Sequence, residues 1–209
     1  MAFSFLVFGY FFGSIPTGYL ITKYFFRKDI RQYYSKNIGA TNVARVLGWK
    51  IGIIVLILDF LKAYLPSLVV LNILGYKDPF KINTSLALSA IVGIGAVFGH
   101  LNPYLLEFKG GKGVASFFGA ISALNLKIAL AGAIVWIIAF LLFKIPAIAS
   151  LASVAVMSVN FFLPFMWEQH LIPAGLEKIR MLFVLVAWLI FIRHIDNIIR
   201  IAGKKEYKL

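Results

Sequence analysis

Apolar runs separated by short polar breaks set the layout of this 209-residue chain. Runs of membrane length lie at 2–24, 51–74, 84–101, 127–143, 147–167 and 178–195, with a shorter one at 113–125. A straight span needs about 20 apolar residues to cross a core of ~30 Å. The short run is therefore predicted to start inside the membrane plane and to sink the loop before it below the headgroups. The pattern predicts an all-α, polytopic integral membrane protein, with seven transmembrane helices in a single membrane domain, 1–209. The first run has no basic lead-in and no clear small-residue cleavage site, so it is expected to remain as a span rather than to leave as a signal peptide. Its second half holds Gly13, Ser14, Ile15, Pro16, Thr17 and Gly18. Proline predicts a kink there, and the small residues allow close helix packing.

Composition supports the membrane reading. Hydrophobic residues make up 61% of the chain, and the mean hydropathy of +0.91 is too high for a soluble domain. Lys and Arg number 21 against 8 Asp and Glu, a net charge of +13. These basic residues sit between apolar runs, where topology, anionic lipid or phosphate substrates would place them, so nucleic acid is not expected as a partner. The absence of cysteine excludes disulfides, thiol nucleophiles and Cys-ligated metals. His100, His170 and His194 are far apart and show no metal-ligand spacing.

Three polar breaks carry candidate chemistry. The first, within 25–50, pairs charges at Arg27, Lys28 and Arg31 with a run from Ser35 to Arg45. That run is rich in hydroxyl and amide groups (Asn37, Thr41, Asn42), which bind phosphate or glycerol hydroxyls directionally, and Arg45 can grip a phosphate bidentately. The second break sets Lys109 and Lys112 among Gly110, Gly111 and Gly113, after Gly99 and His100. Glycine lets a backbone approach a ligand, and consecutive amides with a following helix make an anion site. A flexible loop whose lysines touch headgroups is the alternative. A Walker A loop is excluded, because Leu106 and Gly113 stand where glycine and Ser/Thr are required. The third break places Arg193, Asn197 and Arg200 at i, i+4 and i+7, one stripe if a single helix continues, with His194 on the neighbouring stripe.

Asp59 and Lys62 lie within the second span. Each would cost roughly 2.5–3.5 kcal/mol at the membrane centre if left alone. Three residues apart they share a helix face and can pair, as a buried structural ion pair or as a pair facing a polar cleft.

With seven spans, the loops at 25–50, 101–112 and 144–146 share one face with the C-terminal segment, and most Lys and Arg lie there. The positive-inside rule makes that face cytosolic, the N-terminus external and the C-terminus cytosolic. All three polar breaks then meet on one side.

Ser35-Lys36-Asn37-Ile38-Gly39-Ala40-Thr41-Asn42 with Arg45, Gly99-His100 through Phe108-Lys109-Gly110-Gly111-Lys112-Gly113-Val114-Ala115, and Arg193-His194-Ile195-Asp196-Asn197-Ile198-Ile199-Arg200 with Gly203 and Glu206 resemble, in order, the three motifs of the bacterial acyl-phosphate:glycerol-3-phosphate acyltransferases (PlsY). Gly13-Ser14-Ile15-Pro16-x-Gly18 and Asp59-x-x-Lys62 match as well. The family usually has glycine where Lys36 stands and often a basic residue where Ile195 stands. The resemblance implies transfer of a fatty acyl group from acyl phosphate to the sn-1 hydroxyl of glycerol 3-phosphate. The product would be lysophosphatidic acid, for phospholipid synthesis in the cell membrane, with neither metal nor cofactor. Ser35, Arg45, Lys112, His194 and Asn197 are the expected catalytic pocket. Asn37, Gly39, Thr41, Asn42, His100, Lys109, Gly110, Gly111, Gly113, Arg193 and Arg200 are the expected substrate-binding residues. His194 is the side-chain candidate for general base, and a substrate phosphate oxygen is the other proton acceptor. The acyl chain would lie between helices and open to membrane lipid, and the chain is expected to work as a monomer.

Two observations bear on the competing classes. None of His100, His170 or His194 has Asp five positions later, which counts against the acyl-CoA-dependent acyltransferases that use that spacing. A small transporter of a phosphate-bearing anion is the alternative, but it would need access from both faces, and no internal repeat is visible.

Overall fold

The computed structural model describes residues 1–74, 82–160 and 177–206. Ten α-helices occur among them: α1 (Ala2–Gly13), α2 (Thr17–Phe26), α3 (Ala40–Leu47), α4 (Trp49–Ile73), α5 (Ile82–Leu101), α6 (Val114–Leu124), α7 (Leu126–Phe143), α8 (Pro146–Asn160), α9 (Glu177–Ile192) and α10 (Ile195–Ala202). No strand occurs among the described residues. Expectations placed on Lys77, Asp78, Pro79, Lys81, Phe161, Phe162, Phe165, Trp167, Glu168, His170 and Pro173 fall outside them.

Four stretches are long and apolar enough to cross a membrane: Ala2–Phe26, Trp49–Ile73, Asn83–Leu106 and Leu126–Phe143. The α9–α10 pair, bent by 48°, makes a fifth if counted as one span. Two apolar helices are shorter, Val114–Leu124 and Pro146–Val159. At about 1.5 Å per residue, α6 covers only about 16 Å, as its short apolar run predicts.

The first span is broken where the sequence places Pro16. Helix α1 ends at Gly13, and α2 resumes at Thr17. Between them Thr17 N–H donates to the Ile15 carbonyl at 3.0 Å, a tight turn that proline's fixed ring favours.

Close backbone approach explains the packing of α1 on α5. A Cβ added at Gly9 or Gly13 would strike the carbonyls of Val92 or Ala96, and one at Gly95 or Gly99 would strike those of Leu6 or Tyr10. Small residues on both helices therefore bring the backbones together, as membrane helices without a hydrophobic driving force require. The central helix is α5, rich in Ala, Gly, Ser and Val, whereas Ile134, Ile138, Leu141 and Leu142 on α7 are exposed on the outside of the bundle. The main core joins Leu101, Phe117, Ile121, Met157, Phe183 and Ile190, all fully or nearly fully buried. Phe117 and Phe183 meet edge to face with centroids 6.0 Å apart.

Candidate active site

The polar breaks converge at one end of this bundle. The first is held by side chains spent on its own backbone. Asp29 accepts Arg31 N–H at 3.0 Å and pairs with the Arg31 guanidinium at 2.7 Å. This charged hydrogen bond holds the Asp29 carboxyl below its ordinary range. Asn42, buried in α3, donates to the carbonyls of Ile30, Tyr33 and Asn37 and accepts Ser35 N–H at 3.3 Å. Asn37 Oδ1 takes Gly39 N–H at 2.8 Å at the start of α3. These bonds set Ser35 at the loop tip and Arg45 in the last turn of α3 on one side of a cavity.

The second break turns through two left-handed residues, Glu107 and Phe108, and reaches α6 through Gly113 at φ +83°. Only glycine takes that conformation at little cost. The Gly111 amide, expected to face a ligand, is instead spent on the His100 carbonyl at 2.9 Å.

The third break departs from the single-stripe expectation. The helix bends between Ile192 and Ile195, so Arg193 is not on one continuous helix with Asn197 and Arg200. Arg193 turns to donate to Asn102 Oδ1. On the far side of the bend, α10 presents Asn197 and Arg200 inward, where Glu206 accepts from Asn197 Nδ2 at 2.8 Å and Arg200 Nε at 2.9 Å. Lys112 donates to Asn197 Oδ1 and so joins the second break to the third. At the bend, buried His194 has Nδ1 2.8 Å from the Ile190 carbonyl. A carbonyl only accepts, so Nδ1 carries the proton and Nε2 is left as an acceptor.

Two cavities adjoin here. The larger, about 590 Å³, is lined by all five expected catalytic residues, Ser35, Arg45, Lys112, His194 and Asn197. Asn37, Gly39, Thr41, Asn42, His100 and Gly113 also border it. From this polar end it extends along apolar side chains of α4, α6, α7 and α8, including Leu56, Phe60, Phe118, Trp136, Ile137 and Ala147. The smaller cavity, about 250 Å³, is mainly polar and takes in Lys36, Gly110, Gly111, Arg193, Asp196 and Arg200, with Ile192 and Ile195 at its wall. Ser35, Asn37, Lys112 and Asn197 line both. Lys109 lines neither: its exposed ammonium lies 3.4 Å from exposed Glu107.

Sequence reasoning missed Glu206 as a site residue, although it falls in the quoted third motif; it borders the large cavity and orients Asn197. Lys36 and Asp196 were also passed over, and both line the small cavity. Asp59 reaches the large cavity, while its partner Lys62, 2.9 Å away, donates to the Ile15 carbonyl at the break of the first span.

Burial lowers the Lys112 ammonium to about 8, and repulsion from Arg200 and Arg45 acts in the same direction. Glu206 and Asp196 pull the other way, and the excess of positive charge over these two carboxylates favours an anion.

An amphipathic cleft with a cationic head, set among membrane-length helices, suits an amphiphile that carries an anion. The glycerol-3-phosphate acyltransferase family model matches residues 3–204. The glycerol-3-phosphate acyltransferase of Anaeromyxobacter sp. (strain Fw109-5) is 38% identical over 201 residues, covering 96% of this chain and 93% of its own. That of Clostridium acetobutylicum is 39% identical over 194 residues, 93% and 92% of the two chains. The crystal structure of PlsY, an integral membrane glycerol 3-phosphate acyltransferase, in its glycerol 3-phosphate form superposes with a TM-score of 0.84 at 31% identity, over 100% of this chain and 95% of that one. Its lysophosphatidic acid form gives 0.79. The chain belongs to the glycerol-3-phosphate acyltransferase family.

Proposed function

We propose that this chain transfers a fatty acyl group from acyl phosphate to the sn-1 hydroxyl of glycerol 3-phosphate, giving lysophosphatidic acid and inorganic phosphate. The observation that carries this reading is the pair of cavities sharing one polar wall. The large one suits an amphiphile with an anionic head and an apolar tail, and the small cationic one suits a compact phosphate ester.

The acyl phosphate lies with its chain along Phe60, Phe118 and Trp136 and its phosphate near Arg45 and Lys112. Glycerol 3-phosphate occupies the small cavity, its phosphate facing Arg193 and Arg200. Its hydroxyl attacks the acyl carbonyl across the shared wall. A new C–O ester bond forms, the bond from the acyl carbon to the phosphate oxygen breaks, and phosphate leaves with the bonding pair. The hydroxyl proton goes to His194 Nε2 or to a substrate phosphate oxygen. Acyl phosphate is already activated, so positioning and charge stabilisation supply most of the acceleration. Ser35 and Asn197 orient substrate oxygens, and Asn197 is itself held by Lys112 and Glu206.

The protein acts as a monomer in the cell membrane, without metal or cofactor. It crosses seven times, with the N-terminus external and the site on the cytosolic face. The basic residues of the 25–50 and 101–112 loops support that orientation. Because the chain has no native cysteine, single cysteines introduced at Lys28 and Ala2 can report it. Membrane-impermeant thiol reagent should label position 2 in intact cells and position 28 only after lysis; the reverse pattern overturns the topology.

The reaction is tested with purified protein in detergent or lipidic mesophase, palmitoyl phosphate and glycerol 3-phosphate. Phosphate release requiring both substrates, with no turnover of palmitoyl-CoA, is the expected result. Silence with acyl phosphate from folded protein overturns the reading and favours transport of a phosphate-bearing anion.

A further inference from the structure

Asp59 touches both ends of the glycine–lysine loop. Its buried carboxylate accepts from Thr17 Oγ1 at 2.5 Å and pairs with Lys62 at 2.9 Å. Where the chain enters the loop, His100 Nδ1 lies 3.4 Å from Asp59 Oδ1. That buried nitrogen makes no regular hydrogen bond among the described residues, and the Asp59 carboxylate is the acceptor that faces it. Where the chain leaves the loop, the Asp59 backbone carbonyl accepts from Ser116 Oγ at 2.9 Å. Between these points the His100 carbonyl holds Gly111 N–H at 2.9 Å, and the ring's Nε2 fills the space where a Gly111 Cβ would stand. The next residue is Lys112, in the wall shared by the two cavities.

We propose that Asp59 and His100 are positioning residues for the transfer reaction: the carboxylate keeps the His100 proton on Nδ1, and the ring and carbonyl of His100 fix Gly111 so that Lys112 is set in the shared wall. This rests on the acyl-phosphate reading of the site. An imidazole beside a carboxylate has one preferred tautomer and orientation. A ring held in that way is a rigid stop against which a flexible glycine loop can rest. Displacing a binding group by about 1 Å can cost about 10²-fold in rate, so a loop of glycines needs such a stop.

The test uses the full chain and begins with the wild type. Its silence toward palmitoyl phosphate and glycerol 3-phosphate overturns the acyl-phosphate reading and this inference together. With an active wild type, His100→Ala is expected to raise KM for palmitoyl phosphate about tenfold, with KM for glycerol 3-phosphate changed less than about threefold. Gly111→Ala alone is expected to be the poorer enzyme, because its methyl meets the imidazole. The His100→Ala/Gly111→Ala double variant should recover at least several-fold over Gly111→Ala, because the methyl then occupies the space the ring has left. Where Gly111→Ala does not fold, His100→Asn serves instead: its amide can still donate toward Asp59, and its KM for palmitoyl phosphate should lie several-fold below that of His100→Ala. The paired substitution Asp59→Asn/Lys62→Met, which removes both buried charges together, should raise this KM as His100→Ala does. An unchanged KM for palmitoyl phosphate in His100→Ala, or strictly multiplicative losses in the double variant, overturns the proposal. An unchanged KM for palmitoyl phosphate in the Asp59/Lys62 pair overturns the role of Asp59.

Discussion

Lys112 donates a hydrogen bond to the side-chain oxygen of Asn197, 85 positions away in the chain. This bond ties the glycine loop to the helix beyond the bend, and both residues face both cavities. Lys112→Ala is expected to lower kcat/KM by about 10²–10³, the range seen when one charge-stabilising donor is lost from a catalytic site. Asn197→Ala should also be severe, and the double variant should lose less than the product of the two single losses because they act as one unit. Steady-state kinetics of the three variants checks this; multiplicative losses would separate the residues.

The lowered Lys112 gives two pH dependences of opposite sign. Its ammonium is intact below about 8 and is lost above, so affinity for a phosphate substrate should fall as pH rises through about 8. Below about pH 6 the substrate phosphate takes up its second proton and affinity weakens again. Stability of the free protein runs the other way. The unfolded chain holds that proton up to its ordinary value of 10.5, so between about 8 and 10.5 the folded state gains stability as pH rises. Binding isotherms and melting curves across pH 6–11 test both, and Lys112→Met should remove the fall in affinity near 8 and flatten the rise in stability between about 8 and 10.5.

Asp59 and Lys62 are both buried and lie 2.9 Å apart. Removing one charge leaves the other unpaired at membrane depth, so Asp59→Asn alone should cost about 3–5 kcal/mol. Asp59→Asn/Lys62→Met should recover most of that, because the pair then buries no charge. Thermal unfolding in detergent distinguishes the cases.

Lys36 holds φ +57°, a conformation glycine takes freely. Lys36→Gly should therefore stabilise the loop by about 1 kcal/mol. Since Lys36 also lines the small cavity, KM for glycerol 3-phosphate should rise a few-fold. Higher melting temperature with weaker substrate binding is the expected combination.

Gly95→Ala should destabilise by about 1–3 kcal/mol, because its methyl would meet the Leu6 carbonyl of α1. Gly203→Ala is the control: nothing lies nearer than 3.5 Å to its added carbon, so stability should hold.

Much of the site was legible from residue type. Polar and cationic groups that interrupt apolar runs mark the three breaks; the family resemblance singles out Ser35, Arg45, Lys112, His194 and Asn197 within them, and the structure brings these five to one cavity. The break at Pro16 follows from a missing amide, and the shortness of α6 from its apolar run. Other features had no local signal. Nothing in the 193–200 spacing marks the bend at His194, which tertiary packing imposes on residues that read as one helix. Lys109 resembles Lys112 in sequence, and only the turn through Glu107 and Phe108 sends one outward and the other inward. Whether Asp59 faces a cleft depends on what α5 and α6 bring to it, which no period in α4 records.

The bond between Lys112 and Asn197 also constrains biosynthesis. A ribosome delivers Ser35 and Arg45 early, Lys112 midway, and His194, Asn197 and Glu206 only after the earlier helices have entered the bilayer. Until α10 folds back, the loop of glycines lacks its partner and the shared wall is open. A chain stalled in the middle of synthesis would therefore be inert toward its substrates, and the appearance of activity in a timed insertion assay would report docking of the last helix.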